Sequence, residues 1–422
     1  MTGLLSTCGR QFEDWSAAYR LFARARLEPE ALFDGIGQLC HEQLPAGEPV
    51  RICLDDSLLP KSGARTPGVA WRRDPQGPPF QTNFVRAQRV LQMSALMPVA
   101  GSPAVRAVPV DFVHAPTPPR PARKAAAAPV GPGGQKNLTR RALERIEVVK
   151  ARFGTRPIWL LSDARFTTGP LLQGLPPEAV LIGRLRKDAR LWRLPGPQPA
   201  RGRRRLYGEP CPTPEQMRQD PALPWQTVRV HAAGTDHDCR IKVVDGVQWR
   251  PAGPRPLRLV LIAPLAYRPR HASRLLYREP AYLLCTDPNL PPQQIVQAYF
   301  QRWDIEVNFR DQKSLLGVGQ AQVRHPRSVQ AVPAFQVAAY ALLLLAALQL
   351  DPALLLPPPK WHPRRKSERA STHQLLQRLR FEVWGRGLGL HHFSGFSPPP
   401  LPTQTPQNLS LALPSALLYA YA

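Results

Sequence analysis

Apolar positions change their spacing several times along the chain, and each change marks an element. Between residues 11 and 45, Phe12, Trp15, Tyr19, Leu21, Phe22, Leu32 and Phe33 are spaced as anchors of short helices. RICLDDSLL (51–59) is a compact apolar strand ending in two carboxylates, followed by a loop of Lys, Gly, Arg and Pro. NFVRAQRVLQMSALMPV (83–99) and AVRAVPVDFVH (104–114) read as two further strands joined by a Gly101-Ser102-Pro103 turn. Three consecutive strands predict an antiparallel meander. After a Pro/Ala/Gly-rich linker (115–136), Leu138, Ala142, Ile146 and Val149 form one face of a helix with a stop at Gly154, and PIWLLSD (157–163) is a buried strand ending on Asp163.

VLIGRLR (180–186) is another strand, and WQTVRVHAA, DCRIKVVDGVQWR and LRLVLIAPLAY predict a β-rich insertion in which Asp245-Gly246 supplies a two-residue hairpin turn. AYLLCTD (281–287) returns to a buried strand. PPQQIVQAYFQRWDIEVNFRDQKSLLG (291–317) reads as one helix with Pro at its start and Gly317 at its end. An apolar helix over 328–350 follows. Its longest apolar run, FQVAAYALLLLAALQL (335–350), is 16 residues with Gln336 and Gln349 inside it, short of the ~18–20 needed to span a bilayer, so a buried core helix is expected and no membrane. The pattern divides the chain into a helical start (1–50), a first core part (51–190), the insertion (191–280), a second core part (281–350) and a Pro-rich basic tail (351–422).

Charge sharpens this picture. The 422 residues carry 56 Lys+Arg against 30 Asp+Glu, a net charge of +26, which points to a polyanionic partner. The excess is uneven: residues 1–60 hold five Arg against nine acids, whereas Arg184 to Arg205 holds nine Lys/Arg and one Asp. Six widely separated cysteines (Cys8, Cys40, Cys53, Cys211, Cys239, Cys285) form no CxxC pair and no zinc spacing, and no basic-then-apolar leader is visible, so a cytoplasmic protein without structural zinc is expected.

The most specific segment runs from Tyr299 to Lys313. At about 100° per residue, Tyr299, Arg302, Glu306 and Lys313 fall at roughly 0°, 300°, 340° and 320°, on one stripe, with Arg310 at about 20° as a further cation. Asp304 and Asp311 point to roughly 140° and 120°, on the far side. One carboxylate is thus ringed by a phenol and cations. Two more carboxylates stand at ends of apolar strands: Asp163, and Asp56, with Asp55 beside it left open. Three such carboxylates brought together would hold two divalent ions, which activate a water or 3′-hydroxyl for in-line phosphoryl transfer while neighbouring cations hold DNA phosphates.

At these residues the chain resembles the DDE transposases of bacterial insertion sequences, the IS4-like group in particular. That group spaces Tyr, Arg, Glu and Lys as Tyr299, Arg302, Glu306 and Lys313 are spaced here, and the strands LDDSLLPKSG and LLSDARF match its two Asp-bearing strands at Asp56 and Asp163. The resemblance implies an α/β fold with an RNase H-like core, a mixed five-stranded sheet with flanking helices, interrupted by a β-rich insertion. It further implies catalytic and metal-binding roles for Asp56, Asp163 and Glu306, two Mg²⁺ ions with Mn²⁺ as a substitute, and nicking of double-stranded DNA at element ends followed by joining to target DNA, by a homodimer on DNA. Tyr299, Arg302, Lys313 and Arg310 are the implied DNA contacts, with Trp249 as a base-stacking residue. The alternative is a catalytically inactive, transposon-derived DNA-binding protein. Arg165 stands where the group often has Gly.

Overall fold

The computed structural model describes residues 13–387 apart from 25, 64, 75–76, 79, 117–136, 198–201, 269–272 and 351–368. Most of the linker and of the tail read from the sequence therefore lies outside the described residues. Two helices, α1 (Ser16–Ala23) and α2 (Pro29–Gln43), lead into β1 (Val50–Pro60), a short β2 (Ala70–Arg73), β3 (Phe84–Pro98) and β4 (Val105–His114). α3 (Leu138–Arg152) starts where the Asn137 side chain accepts the Arg140 amide proton, and its apolar face, Ala142, Ile146 and Val149, is buried. Then come β5 (Ile158–Ser162), α4 (Gly169–Gln173), β6 (Ala179–Arg184), β7 (Trp192–Arg193), α5 (Pro214–Gln219), β8 (Gln226–Ala232), β9 (Thr235–Gln248) and β10 (Leu257–Ile262). A small separate pair, β11 (Ala266–Tyr267) and β12 (Leu276–Tyr277), precedes β13 (Ala281–Cys285), α6 (Pro292–Gln301), α7 (Asp304–Ser314), α8 (Pro326–Leu348) and α9 (Thr372–Gly387).

β1, β3 and β4 form the expected antiparallel meander, and β5 and β6 add parallel to β1, giving the local order β4-β3-β1-β5-β6. The sheet does not stop at five strands. β13 pairs with β6; β10, β9, β8 and β7 extend the sheet beyond it, and β2 pairs with β3 at the opposite edge, making 11 strands in all. The β-rich segment thus continues the central sheet: β13, which follows it in sequence, lies between it and β6, a non-local pairing that no local pattern announces.

Alternation along the strands sorts the core into two layers. Ile52 and Leu54 of β1 pack with Leu160, Met93 and the helices α2, α3 and α8 on one face. Cys53 packs with Leu161, Leu96 and Ile182 under Ile295, Val296, Ile305 and Phe309 of α6 and α7 on the other. α8 is long and apolar enough to cross a membrane by length and composition, but its Val337, Ala338, Tyr340, Ala341, Leu344 and Leu345 are buried, and it lies on β4 and α2.

Two expectations are corrected. The hairpin turn between β8 and β9 is Ala233-Gly234, both with positive φ (53° and 77°), the geometry of a tight two-residue turn. Asp245-Gly246 lies inside β9, where Gly246 (φ 67°) accommodates an extra residue opposite β10. The 291–317 helix also breaks: Ile305 and Glu306 donate their amides to the carbonyls three residues back, at 3.1 and 3.0 Å, so the chain tightens at Arg302-Trp303. α6 then lies over β5, β6, β8 and β10, and α7 over β1 and β4, following the twist of the sheet.

Candidate active site

Register decides which carboxylates meet. In the parallel pair of β1 and β5, Cys53 lies beside Leu161 and Leu54 beside Ser162, so the next step places Asp55 beside Asp163 on the face covered by α6 and α7. β6 continues the row, because Leu161 pairs with Ile182 and Ser162 with Gly183, bringing Arg184 next to Asp163. The helices close over it. Arg302 lies with its Nη1 3.8 Å from Asp55 Oδ2 and donates from Nη2 to Glu306 Oε1 at 2.9 Å. Its guanidinium also stands over the Tyr299 ring at 5.6 Å. Lys313 donates to Ser57 Oγ at 2.8 Å, two residues along β1 on the same face as Asp55. Tyr299, Arg302, Glu306 and Lys313 therefore still share one stripe despite the break in the helix.

The turn that carries Asp163 is tightly fixed. Asp163 Oδ1 accepts the amide protons of Arg165 (2.9 Å) and Phe166 (3.3 Å), and Thr167 returns its hydroxyl to the Asp163 carbonyl at 2.8 Å. Arg165 thus fits without distorting the turn. Gly183 makes the packing possible: a Cβ there would lie 2.1 Å from Thr167 Oγ1 and 2.9 Å from Ser162 Oγ.

Asp56 faces the other way. Its side chain is 3% exposed and is flanked by Arg89 (3.3 Å) and Arg165 (3.1 Å), with Arg89 projecting from β3 on the same opposite face. Burial raises the pKa of both aspartates, but through different surroundings. At Asp56 burial is countered chiefly by Arg165 and then Arg89, with the negative charge of Asp163 adding to burial to a lesser extent. At Asp55 burial is reinforced by the negative charge of Asp163, and only Arg302 and the Asp56 amide oppose it, so its pKa is pushed up to about 7. Around them, burial raises the Tyr299 phenol and lowers the Lys313 ammonium. Burial disfavours the Arg302 charge as well, but Tyr299, Glu306 and Asp55 together outweigh it and raise its pKa.

The remaining predicted residues lie elsewhere. Arg310 donates to Asp311 Oδ1 at 2.9 Å, so its largely exposed guanidinium is drawn to the neighbouring carboxylate on the far side of α7 and away from Glu306. Asp304 and Asp311 occupy that side, as the helical wheel predicts, paired with Arg369 and Thr372. Trp249 is a partly buried aromatic packed against the main core. Arg184, part of the basic stretch but not singled out by sequence reasoning, joins the site through strand register.

Among the described residues, no group of three or more His, Cys, Asp or Glu side chains is gathered closely enough to hold a metal ion. The donor chemistry of Asp55 and Asp163 nevertheless suits a hard divalent cation: two neighbouring carboxylates, one of them strongly desolvated, repel each other unless positive charge lies between them. Asp56 is flanked instead by the ion pairs to Arg89 and Arg165, although its Oδ1 has no hydrogen-bond partner.

In this α/β fold, a carboxylate in mid-β1, where its parallel pairing with β5 ends, and another just beyond β5 lie under α6 and α7, which bring up the buried Arg302 and the partly buried Lys313. Residues 5–250 match the family model described as DDE superfamily endonuclease, and the chain belongs to that superfamily. The family implies DNA as the substrate and typically uses divalent metals. The matched stretch includes Asp55, Asp56 and Asp163 and ends before Glu306. No curated protein matches the chain.

Proposed function

We propose that the protein is a transposase of the IS4-like kind, with an RNase H-like core that cuts DNA at element ends and joins the freed 3′-hydroxyl to target DNA, working as a homodimer on DNA. The observation that carries this reading is the row Asp55–Asp163 on adjacent parallel strands beneath Arg302 and Glu306. The order β4-β3-β1-β5-β6, with an antiparallel meander followed by two parallel strands, supports the RNase H-like core. Asp55, Asp163 and Glu306 would hold the divalent ions, Mg²⁺ or Mn²⁺. Such ions supply activation of the attacking hydroxyl and stabilisation of the leaving oxygen.

The chain's own residues do the rest. Arg302 presents two buried nitrogens, Nε and Nη1, that have no hydrogen-bond partner, and these are donors for a phosphate oxygen. Lys313, Arg184 and Tyr299 surround the same point, so a scissile phosphate enters a site of fixed positive charge. Glu306 is about one-third exposed and accepts from Arg302 Nη2.

The test is cleavage of DNA carrying the element's terminal sequence, with Mg²⁺ and with chelator. Glu306→Gln is expected to abolish cleavage while DNA binding persists, because the change removes one carboxylate charge and no phosphate donor. Wild-type protein that binds this DNA yet never cuts it would instead support the inactive, transposon-derived DNA-binding reading. Arg302→Ala is expected to weaken binding and lower the salt slope, d log K/d log[salt], by about 1. An unchanged slope would make Arg302 a structural ion-pair partner only.

A further inference from the structure

Away from the carboxylates, the edge of the sheet carries a surface that a soluble protein ordinarily hides. β2 pairs with β3 so that Trp71 lies opposite Arg86 and Arg73 opposite Phe84. Side chains alternate along a strand, so all four project from the same face, as a two-by-two checkerboard of aromatic and guanidinium groups. Trp71 is 68% exposed and Phe84 62%. Arg86 lies over the Trp71 ring at 5.8 Å, Arg73 is exposed, and nearby Phe80 is 89% exposed. Within the described residues, β2 has no strand on its outer side.

The same register shows which face this is. β1 and β3 pair without a shift from Ile52↔Ala95 to Pro60↔Ala87, and Asp55 lies opposite Gln92. Even-numbered residues of β3 therefore share the face of Asp55: Ser94 and Gln92 meet Asn308 and Gln312 of α7, and farther along come Arg86 and Phe84. From Gln92 to Arg86 is about 20 Å at ~3.4 Å per residue, or roughly six nucleotide steps of a DNA strand. Beside Arg86, whose carbonyl accepts the Lys61 amide proton, the Lys61 ammonium is tied to the Gly319 and Ala321 carbonyls and so fixes the loop after β1.

We propose that Trp71 and Phe84 form a base-stacking platform for unpaired nucleotides of the DNA, with Arg73 and Arg86 answering the phosphates between the stacked bases. Alternating aromatic and cationic side chains fit single-stranded DNA, whose bases offer a flat π-face and whose backbone offers one negative charge per nucleotide. A protein partner would use the aromatics but has no reason to match an arginine at every second position. The inference rests on the DNA reading given under Proposed function.

The experiment compares three probes on the full chain by fluorescence anisotropy: a blunt duplex, the same duplex with a single-stranded tail of about ten nucleotides, and the tail strand alone. Trp71→Ala and Phe84→Ala are each expected to weaken binding of the two single-stranded-containing probes about five- to a hundredfold, while blunt-duplex binding stays within about twofold. Trp71→Phe, which keeps a ring, should recover most of the loss. Stacking should also quench a component of tryptophan emission that Trp71→Phe removes. Equal binding of tailed probes by wild type and both alanine variants would overturn the platform, and a change in sedimentation without any change in DNA binding would reassign the patch to protein contact. If the wild type binds none of the three probes, both the DNA reading and this inference fall. If it binds blunt duplex alone, only the inference does. Both residues are more than half exposed, so loss of folding does not cloud the comparison.

Discussion

Asp55→Asn is expected to lower metal-dependent DNA cleavage at least a thousandfold, about 4 kcal/mol of transition-state stabilisation, whereas Asp56→Asn leaves cleavage within about tenfold of wild type. The two residues are adjacent and chemically identical, so composition and spacing treat them alike. The fold does not. Asp55 is the register neighbour of Asp163 and faces Arg302, and Asp56 lies on the reverse of the sheet between Arg89 and Arg165. Asn keeps the shape of each side chain and removes the charge. At position 55 that removes the carboxylate proposed as a ligand for a divalent ion and leaves Arg302 with less negative charge to face. At position 56 it leaves two arginines without their carboxylate, a cost to stability more than to chemistry. Cleavage rates and urea midpoints measured on both variants separate these effects. If Asp56→Asn proved the inactive one, with Asp55→Asn active, the register argument would fail and the site would have to open on the other face. A metal-binding readout gives an independent check: Mn²⁺ titrated against the metal-free protein should bind more weakly to Asp55→Asn and equally well to Asp56→Asn.

Why the sequence left these two open is itself physical. A strand buried on both faces reads as a continuous apolar run, so β1, with Ile52, Cys53 and Leu54 all at 0% exposure, carries no alternation from which to read a side. The parity became visible only when β5 supplied a register. Other parts were legible because their signals are local. The meander came from three apolar runs broken by turn residues, α3 from a 3.6-residue apolar face with a stop at Gly154, and the Tyr299–Lys313 stripe from angular spacing that survives a tightened turn. Non-local pairings were invisible for the same reason. Nothing near residue 284 in the sequence reveals that Leu284 pairs with Gly183, yet that contact joins five further strands to the five-stranded core. Trp71 was passed over because it follows a loop of Lys, Gly, Arg and Pro, where a four-residue edge strand gives too short a pattern to detect.

The acidic start of the chain, which runs against the DNA-directed charge of the rest, is explained by what it touches, and it leads to the largest stability effect expected here. Asp111 of β4, with a side chain 1% exposed, accepts from Arg145 Nε at 2.9 Å and from Arg152 Nη1 at 3.0 Å, both arginines projecting from α3. The same arginines reach Glu30 and Asp34 of α2, Arg145 Nη2 to Glu30 at 2.7 Å and Arg152 Nε to Asp34 at 2.8 Å. Burial works against the charge of Arg145, but its bonds to Asp111 and then Glu30 outweigh this and raise its pKa. The N-terminal acids therefore neutralise α3 where it is clamped to the sheet. Asp111→Ala leaves two largely buried guanidinium groups without their shared carboxylate and is expected to cost about 3–5 kcal/mol of folding stability. Glu30→Ala removes a half-exposed partner of the same arginines and should cost about 1 kcal/mol or less. Urea unfolding followed by circular dichroism distinguishes the two. Similar losses for both would mean that the network draws its strength from the rim, and a loss below about 1 kcal/mol for Asp111→Ala would mean that water or Glu30 replaces the missing carboxylate. Because Asp111 lies on the face of β4 turned toward α2 and α3, away from α7, its removal should reduce stability while leaving the DNA-binding salt slope of the folded protein unchanged, which separates the clamp from the site.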